Sequence, residues 1–296
     1  MSVIKVADIA WARLRSPDVD RQEEFLLDFG MVRADRTNKA LYMRGTDPTH
    51  HLHITEPGEP AFIGHAYYAA SEEDLNKATR VDGASGIEEI DEPGGGKRVR
   101  LKDPEGFQVE IVWGMEKVAA LPVRPHDTNR GSDKWRRVRD FYRVSNTPSQ
   151  VKRIGHTVLM TRDIKKYLKW YRDTLGFISS DDVFVGKPEN IVGSFNRLDR
   201  GDQYVDHHVF FCWQGAKVGL NHVSYEVEDM DDLMLATSTS RTRTSTSTCG
   251  ASAGTIWVPR CSTTGPTRGA TCTSTGPTRT CSTSPAVPTW CRSRMG

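Results

Sequence analysis

An internal repeat is the feature of this 296-residue chain that most restricts its fold. Residues 154–160 alternate apolar and polar side chains as a short strand does, and a helical pattern follows and ends at Gly176. Residues 9–14, and the stretch from them to Gly30, repeat this plan 145 positions earlier. Self-similarity at a fixed offset indicates that the chain is built from copies of one supersecondary unit.

A second pair of segments extends the repeat. Residues 63–68 and 220–225 are strand patterns, and each is followed by an acidic helix start, at residues 71–75 and 228–233. The first half closes with two strands around an Asp-Pro-Glu-Gly turn at residues 103–106. A strand–helix–strands unit therefore occurs four times. The sequence predicts an α+β fold of two domains, each with two βαβββ modules, the last of which is incomplete.

The repeat sets the expected domain boundaries. Residues 1–122 form an N-terminal pair of modules that is expected to be non-catalytic. Residues 123–150 form a polar connector in which residues 134–142 are compatible with a helix. Residues 151–235 form the C-terminal, metal-binding domain, which is truncated. Residues 236–296 form a tail that we expect to be disordered.

The tail differs from the rest of the chain in composition. Its 61 residues hold 17 Thr, 10 Ser, 7 Arg and five of the six Cys, and they lack Asp, Glu, Lys, His, Leu, Phe and Tyr. A Ser/Thr-rich stalk and a disordered linker are two interpretations of such a segment. Neither accounts for the interleaved Cys and Trp residues, or for a break directly after an acidic helix start.

A shifted reading frame accounts for more of these features. In GC-rich DNA the codons for His-Glu-His read as Thr-Ser-Thr when they are displaced, and this triplet occurs at residues 237–239 and 273–275. Reading residues 256–276 across codon junctions gives a string with aromatic residues, an Asp-Pro-Trp-Gly turn and acidic residues, as in a folded domain. We therefore expect a frameshift after about Leu235.

The chain before residue 236 has the composition of an ordinary soluble protein. It carries 33 basic and 38 acidic residues, and the tail adds only its seven Arg, so the formal net charge of +2 averages two unlike segments. That charge gives no reason to expect nucleic acid or a membrane as a partner. No signal pattern or membrane-length apolar run is visible, and Cys212 is the one cysteine before the tail. We expect a cytoplasmic protein without a disulfide framework.

Two histidines occupy matching places in the paired repeats. His156 lies in the middle of one strand pattern, and His222 lies in the middle of the related one. A single strand histidine is more often a hydrogen-bonded structural residue, but pairing the two units brings both into one sheet. Imidazole is the commonest protein metal ligand near neutral pH. The pair therefore predicts a divalent metal site.

A third ligand for this site would come from the shifted frame, as a Glu whose codon straddles residues 273–274. Two His and one carboxylate, with other positions open, are the ligands of non-haem Fe(II) oxygenases. The first half keeps His65 and Glu110 at corresponding places but has Trp11 in place of His156, which favours a structural role for His65. Three more histidines of the first half are expected at the surface: His50, His51 and His53.

Two adjacent histidines, His207 and His208, begin another strand pattern 14 to 15 residues before His222. One interpretation is an exposed strand entry. The other is that one of the two faces the metal and acts as a general acid/base, because imidazole is tunable near pH 7. The spacing alone leaves both interpretations open.

These motifs together resemble a known family. From Met1 to about Leu235 the chain is similar to the type I extradiol ring-cleaving dioxygenases of the vicinal oxygen chelate superfamily, the group of the 2,3-dihydroxybiphenyl and catechol 2,3-dioxygenases. The His156/His222 pair in a two-domain repeat is more specific than the βαβββ unit, which glyoxalases, bleomycin-binding proteins and fosfomycin-resistance enzymes share. The resemblance rests on four segments: Ile154-Gly155-His156, residues 220–227, Asp206-His207-His208 and Asp103-Pro104-Glu105-Gly106.

The resemblance implies a cofactor and a reaction. His156 and His222 would bind Fe(II), or Mn(II) in some members, and the ion would hold a catecholic substrate and O2. His207 or His208 would act as the acid/base while the ring opens next to the diol, in aromatic-compound catabolism. Family members are commonly homo-oligomers. Because the third ligand and the closing strands are missing as written, we expect the literal polypeptide to be inactive.

Two other functions are compatible with this fold. A glyoxalase-like metal-dependent isomerase would usually need two Glu ligands, and the visible C-terminal half offers none at the matching strand ends. A non-catalytic small-molecule-binding protein would need no His pair. Four residues could shape an apolar pocket, but we expect them to pack in the core: Val183, Phe184, Phe195 and Trp213.

Overall fold

The structure is a computed structural model, and it describes residues 2–124, 131–132, 134–135 and 147–233. Beyond these it describes only the backbone of residues 256–257 and 270–274. Most of the expected helix at residues 134–142 therefore lies outside the described residues, as does most of the tail. The expected disorder of the tail stays a prediction, although these two short segments of it are strands.

The N-terminal half forms an eight-stranded sheet with two helices. β1 and β5, the first strands of the two modules, are antiparallel neighbours at the centre, and each is parallel to the last strand of its own module. The strand order β2-β3-β4-β1-β5-β8-β7-β6 thus joins two βαβββ modules, as the repeat predicts. The elements are β1 (Val6–Ser16), α1 (Val19–Phe29), β2 (Val32–Arg36), β3 (Leu41–Arg44), β4 (His53–Pro57), β5 (Ala61–Ala69), α2 (Glu72–Ala78), β6 (Glu88–Glu89), β7 (Lys97–Lys102) and β8 (Gln108–Trp113).

The C-terminal half forms a seven-stranded sheet in the order β10-β11-β12-β9-β13-β15-β14. Its third module repeats the plan, with β9 parallel to β12 and antiparallel to β13. The fourth module closes differently, because β15 runs antiparallel to β13 whereas β8 runs parallel to β5. The elements are β9 (Val151–Thr161), α3 (Ile164–Leu175), β10 (Ile178–Phe184), β11 (Ile191–Arg197), β12 (Phe210–Gln214), β13 (Gly219–Val227), β14 (Ile256–Trp257) and β15 (Ala270–Ser274).

The two long helices begin and end where their sequence signals indicate. Asp18 and Asp163 cap α1 and α3, each accepting a hydrogen bond from a backbone N–H of the first turn. Gly30 and Gly176 end these helices in the left-handed conformation, at φ of 110° and 75°. No helix in the described part of the chain is long and apolar enough to cross a membrane. The apolar face predicted for α3 is buried: Ile164, Leu168, Tyr171 and Leu175.

The main hydrophobic core lies between the two halves and takes side chains from both sheets. At its centre the His65 ring is buried and bonds Thr157 Oγ1 at 2.8 Å and Tyr171 OH at 2.9 Å. Burial lowers the pKa of His65 to about 3, so the ring is neutral and both of its nitrogens are used. The structural role predicted for His65 is confirmed.

The prediction that His50, His51 and His53 lie at the surface is wrong for two of them. His51 and His53 are only 2% and 4% exposed, and His50 is half-buried. The His51 ring packs 4.8 Å from the Trp11 ring, and His53 Nδ1 lies 2.7 Å from Tyr225 OH of the other half. This segment is covered on both faces, because the N-terminal half's own aromatic residues lie on one side and β13 lies on the other.

Candidate metal centre

The two central strands of the C-terminal sheet bring His156 and His222 together. In the antiparallel register His156 of β9 lies opposite Ser224, and His222 of β13 lies opposite Val158. Residues in such diagonal positions share one face of the sheet and are within reach of long side chains. The two Nε2 atoms are 3.4 Å apart. The sheet therefore places both predicted ligands as one pair.

The geometry of this pair fits a shared cation. A separation of 3.4 Å is longer than the usual range of a nitrogen hydrogen bond. Two imidazole nitrogens that each bind a transition metal at about 2.0–2.1 Å lie at most about 4.2 Å apart. Both rings also point the same nitrogen, Nε2, at the other. The donor set of two imidazoles suits Fe, Zn, Cu or Ni.

The surroundings keep the two rings in the state that binds metal. Burial, with smaller effects of His208 and His222, holds the pKa of His156 well below its usual value. Burial also lowers the pKa of His222 to about 4. Neutral imidazole is the form that ligates, so the metal does not have to displace a proton near pH 7.

Asn221 orients one ligand from behind. Its Oδ1 lies 2.7 Å from His222 Nδ1, and because an amide oxygen only accepts, the ring proton is on Nδ1. Nε2 of His222 is then bare and turned towards His156. A hydrogen bond of this kind to the second ring nitrogen fixes the tautomer of metal-binding histidines. The sequence analysis did not identify Asn221; its position directly before a candidate ligand is the one signal that points to it.

The adjacent residues His207 and His208 differ in their position relative to the His156/His222 pair. Both lie in the loop before β12, which begins at Phe210. The ring centroid of His208 is 4.2 Å from that of His156, so His208 lies at the pair. His207 lies behind it, with Nδ1 3.2 Å from His208 Nδ1 and Nε2 2.8 Å from Asp181 Oδ2. Burial, assisted by His207, lowers the pKa of His208 to about 4.

Of the residues expected to pack in the core, Phe195 lines this histidine cluster, whereas Phe184 and Trp213 are exposed. Phe195 packs against His208 at 4.9 Å between ring centroids. Phe184 and Trp213 are 44% and 40% exposed, so the expectation that they pack in the core is wrong. They lie in a half of the sheet whose outer strand, β10, alternates between exposed and half-buried positions.

A third ligand is not found where side chains are described. Among those residues no group of three His, Cys, Asp or Glu is placed to hold a metal ion. The backbone of Thr273, at which the shifted frame would supply a Glu, lies on β15 opposite Ser224 of β13. Ser224 in turn lies opposite His156. Thr273 is thus on the strand next to that of His222, and its side chain is outside the described residues.

In the N-terminal half, protein side chains occupy the place that corresponds to the His156/His222 pair. Trp11, which replaces the first His, is buried. Glu110 is buried as well, and its two oxygens bond Arg13 Nε at 3.0 Å and Arg98 Nη1 at 3.2 Å. Gln108 Nε2 donates to the same carboxylate at 2.7 Å. Two guanidinium groups thus take the place that a cation would have beside this carboxylate.

Comparison with known proteins places these features in a family. The sequence profile of the Glyoxalase/Bleomycin resistance protein/Dioxygenase superfamily matches residues 8–111 and 153–239. Among curated relatives, the manganese-dependent 2,3-dihydroxybiphenyl 1,2-dioxygenase of Geobacillus genomosp. 3 is 27% identical over 181 residues, covering 58% of this chain and 54% of the relative. Metapyrocatechase 2 of Cupriavidus necator is 25% identical over 229 residues, covering 74% and 65%. The chain thus spans less than two thirds of the length of either relative.

Solved structures show the same fold. The Mn(II)-bound glyoxalase from Novosphingobium aromaticivorans superposes with a TM-score of 0.64 at 22% identity, covering 81% of this chain and 72% of that one. The two-domain vicinal oxygen chelate fold predicted from the repeat is confirmed. Since isomerases and dioxygenases share this fold, the function has to be argued from the site.

Proposed function

Because the chain belongs to the Glyoxalase/Bleomycin resistance protein/Dioxygenase superfamily, we propose that it is an extradiol dioxygenase chain whose metal centre is built on His156 and His222. The observation that carries this proposal is the convergence of the two Nε2 atoms at 3.4 Å, with the ring of His208 tilted against that of His156 at 4.2 Å between centroids. Relatives named as manganese-dependent and as ring-cleaving enzymes support the same class. The substrate class is a catechol, with O2 as co-substrate.

Each residue of the site has a separate proposed role. His156 and His222 would hold Fe(II) or Mn(II) through Nε2, and Asn221 would keep the second ring in the binding tautomer. The chemistry that the ion supplies is orientation and charge stabilisation of the two catechol oxygens. His208 would take the proton of a catechol hydroxyl at its free ring nitrogen, Nε2. Phe195 would keep water from that side of the cluster.

The N-terminal half is proposed to be non-catalytic. Trp11 blocks the place of the first ligand, and both oxygens of Glu110 are bound by arginines. We place the protein in the cytoplasm as a homo-oligomer in aromatic-compound catabolism, in line with the composition of the first 235 residues and with the family.

The literal polypeptide is proposed to be inactive. A two-His site without a carboxylate binds divalent metal weakly, and the donor set of the ring-cleaving reaction is two His plus one carboxylate. β15 also runs in the opposite sense to its counterpart β8, so the module that should close the site is not rebuilt by this tail. A frameshift after about Leu235 accounts for both features.

The test compares two proteins. The coding DNA around the codons for residues 234–237 is sequenced, and the literal chain and a frame-restored chain are loaded with Fe(II) or Mn(II) without oxygen. Each is then mixed with O2 and 2,3-dihydroxybiphenyl or catechol, and the visible absorbance is followed. We expect a yellow ring-cleavage product from the restored chain alone, and its loss in a restored His156→Ala variant. A restored chain that binds the metal and gives no product would refute the dioxygenase assignment.

Product formation by the literal chain would instead refute its inactivity. The same incubations with a hemithioacetal substrate test the isomerase alternative. Turnover there without ring cleavage would assign the site to the glyoxalase class.

A further inference from the structure

We infer that Asp181 and His207 are positioning residues that fix the His208 ring in a single tautomer, with the proton on Nδ1 and a bare Nε2 beside the His156/His222 pair. This inference rests on the proposed function, in which His208 is the acid/base. It concerns two residues that lie behind His208. Its basis is a chain of three side chains that runs from β10 to the metal centre.

The first contact in the chain holds His207. Asp181 of β10 lies with Oδ2 at 2.8 Å from His207 Nε2. The neighbouring residue, Ser180, donates its hydroxyl to the backbone carbonyl of His207 at 2.6 Å. One strand therefore holds both the ring and the backbone of His207, although the two segments are 26 residues apart in sequence.

The second contact determines which ring nitrogen of His208 carries the proton. The two Nδ1 atoms are 3.2 Å apart, so one ring donates and the other accepts. An ionised carboxylate only accepts, so the His207 nitrogen that faces Asp181, Nε2, carries a proton, and a ring with a single proton then has Nδ1 as its acceptor. His208 must then donate from Nδ1. Its Nε2 carries no proton and is the nitrogen left for a molecule beside the pair.

The tautomer of His208 matters for the proposed reaction. A histidine that receives a proton from a catechol hydroxyl needs a bare nitrogen on the substrate side. An imidazole whose tautomer is not fixed would have a protonated nitrogen on the substrate side for part of the time. A carboxylate behind the ring that fixes the tautomer is a recurring arrangement in acid/base catalysis. Here the carboxylate would act through a second imidazole.

The direct test is nitrogen NMR on the metal-free full chain labelled with ¹⁵N-histidine, in which bare and protonated ring nitrogens give separate signals. We expect Nε2 of His208 to give the signal of a bare nitrogen at neutral pH. In His207→Phe the acceptor is lost while an aromatic ring remains, and we expect the proton of His208 to move to Nε2 in at least part of the molecules. Asp181→Ala should broaden or mix the two forms.

A matched control is Asp182→Ala. Asp182 is the next residue of β10, but its Oδ1 accepts from Ser179 Oγ at 2.7 Å and does not face His207. Its loss should leave the His208 signals unchanged. A bare Nδ1 on His208 in the unmodified chain would overturn the inference without any variant, as would an unchanged tautomer in a folded His207→Phe protein.

Failure of the proposed function gives a different result. If titration of the frame-restored chain with Mn(II) leaves the His156 and His222 signals unbroadened while the tautomer pattern holds, the metal centre is wrong and the positioning stands. If Mn(II) broadens those signals but His208 is in the other tautomer, the positioning is wrong and the metal centre stands. In the frame-restored chain, His207→Phe should lower kcat about ten-fold with little change in KM, since the change lies behind the base.

Discussion

Histidines in this chain take roles that their surroundings, rather than their residue type, determine. His65 is enclosed by the interface of the two halves and uses both nitrogens on neighbouring hydroxyls. His222 is on the corresponding strand of the other half, but it has an amide oxygen at one nitrogen and a second imidazole at the other. The first arrangement holds a core together, whereas the second leaves lone pairs that converge on one point. Only the second can hold a metal.

A substitution of Asn221 tests whether the surroundings of His222 prepare it to bind a metal. Replacing it by Ala removes the acceptor of His222 Nδ1–H, so that the ring is free to turn and to exchange tautomers. Loss of such a partner typically weakens metal binding by about 10–100-fold. We expect that loss in Asn221→Ala when free Mn(II) is measured by electron paramagnetic resonance during titration of the protein.

The control for this experiment is Asn190→Ala. That residue donates to the carbonyl of Val185 in an exposed loop and does not contact the pair. It should bind Mn(II) as the unmodified chain does. Equal affinity for the Asn221→Ala protein and the unmodified chain would mean that His222 is oriented by its strand alone.

At the scale of elements, one turn of the N-terminal half holds a helix of the C-terminal half. Asp103 follows β7 and accepts the backbone N–H groups of Glu105 and Phe107, each at 2.9 Å, which closes the turn to β8. Its second oxygen accepts the hydroxyls of Tyr167 and Tyr171 of α3. Burial raises the pKa of Asp103, and its hydrogen bonds from the two tyrosine hydroxyls and the two backbone N–H groups oppose this shift.

Asp103→Ala should therefore destabilise the whole chain. The variant leaves the buried hydroxyl of Tyr167 without its acceptor, removes one of the two partners of Tyr171 OH and opens the turn, a loss of about 2–4 kcal/mol in the free energy of unfolding. Urea unfolding followed by tryptophan fluorescence measures it. Combining the change with Tyr167→Phe should recover part of the loss, because the unsatisfied hydroxyl is then absent. A loss as small as that of Asp82→Ala, at an exposed position, would contradict this account.

The sequence predicts elements of this kind well and their long-range partners poorly. The helix ends at Gly30 and Gly176, the turn at residues 103–106 and the matching strands of His156 and His222 all follow from local chemistry or from the repeat. The contact of Asp181 with His207 does not, because it joins two segments that share no pattern.

Burial on both faces of a strand is equally hard to predict. His51 and His53 lie in a polar-looking segment; His51 is buried against aromatic residues of its own half and His53 against Tyr225 of the other half, and local sequence shows neither contact.

At the scale of the whole molecule, a core shared by the two halves encloses His53 and His65, and His51 packs against Trp11 and Tyr42 of a second cluster. Burial lowers the pKa of His51 to about 3, of His53 to about 4 and of His65 to about 3. Each of these rings would be protonated more readily in the unfolded chain, near the ordinary histidine pKa of about 6.5. The two halves should therefore share one sensitivity to acid.

The sign of this effect follows from proton uptake. Above about pH 6.5 neither state protonates these histidines and their contribution to stability is constant. As the pH falls below 6.5 the unfolded chain takes up protons that the folded chain does not, so the free energy of unfolding falls until the folded pKa values are reached. Each group contributes about 1.4 kcal/mol per pH unit in that window. Asp8, whose pKa burial raises to about 6, acts in the opposite direction, as do three more carboxyls whose pKa burial raises: Asp103, Glu226 and Asp232. The lowered pKa values of three further histidines add to the fall: His156, His208 and His222.

We therefore expect the urea midpoint of the metal-free chain to be constant from pH 8 to pH 7 and to fall steeply between pH 6.5 and pH 5. His53→Gln should flatten this fall by up to about 1.4 kcal/mol per pH unit, since Gln keeps a polar partner for Tyr225 OH but does not titrate. An exposed change, such as Asp82→Asn, should leave the slope as it is. A midpoint that does not move between pH 7 and pH 5 would mean that the buried histidines are reached by water, and that the shared core is looser than its packing indicates.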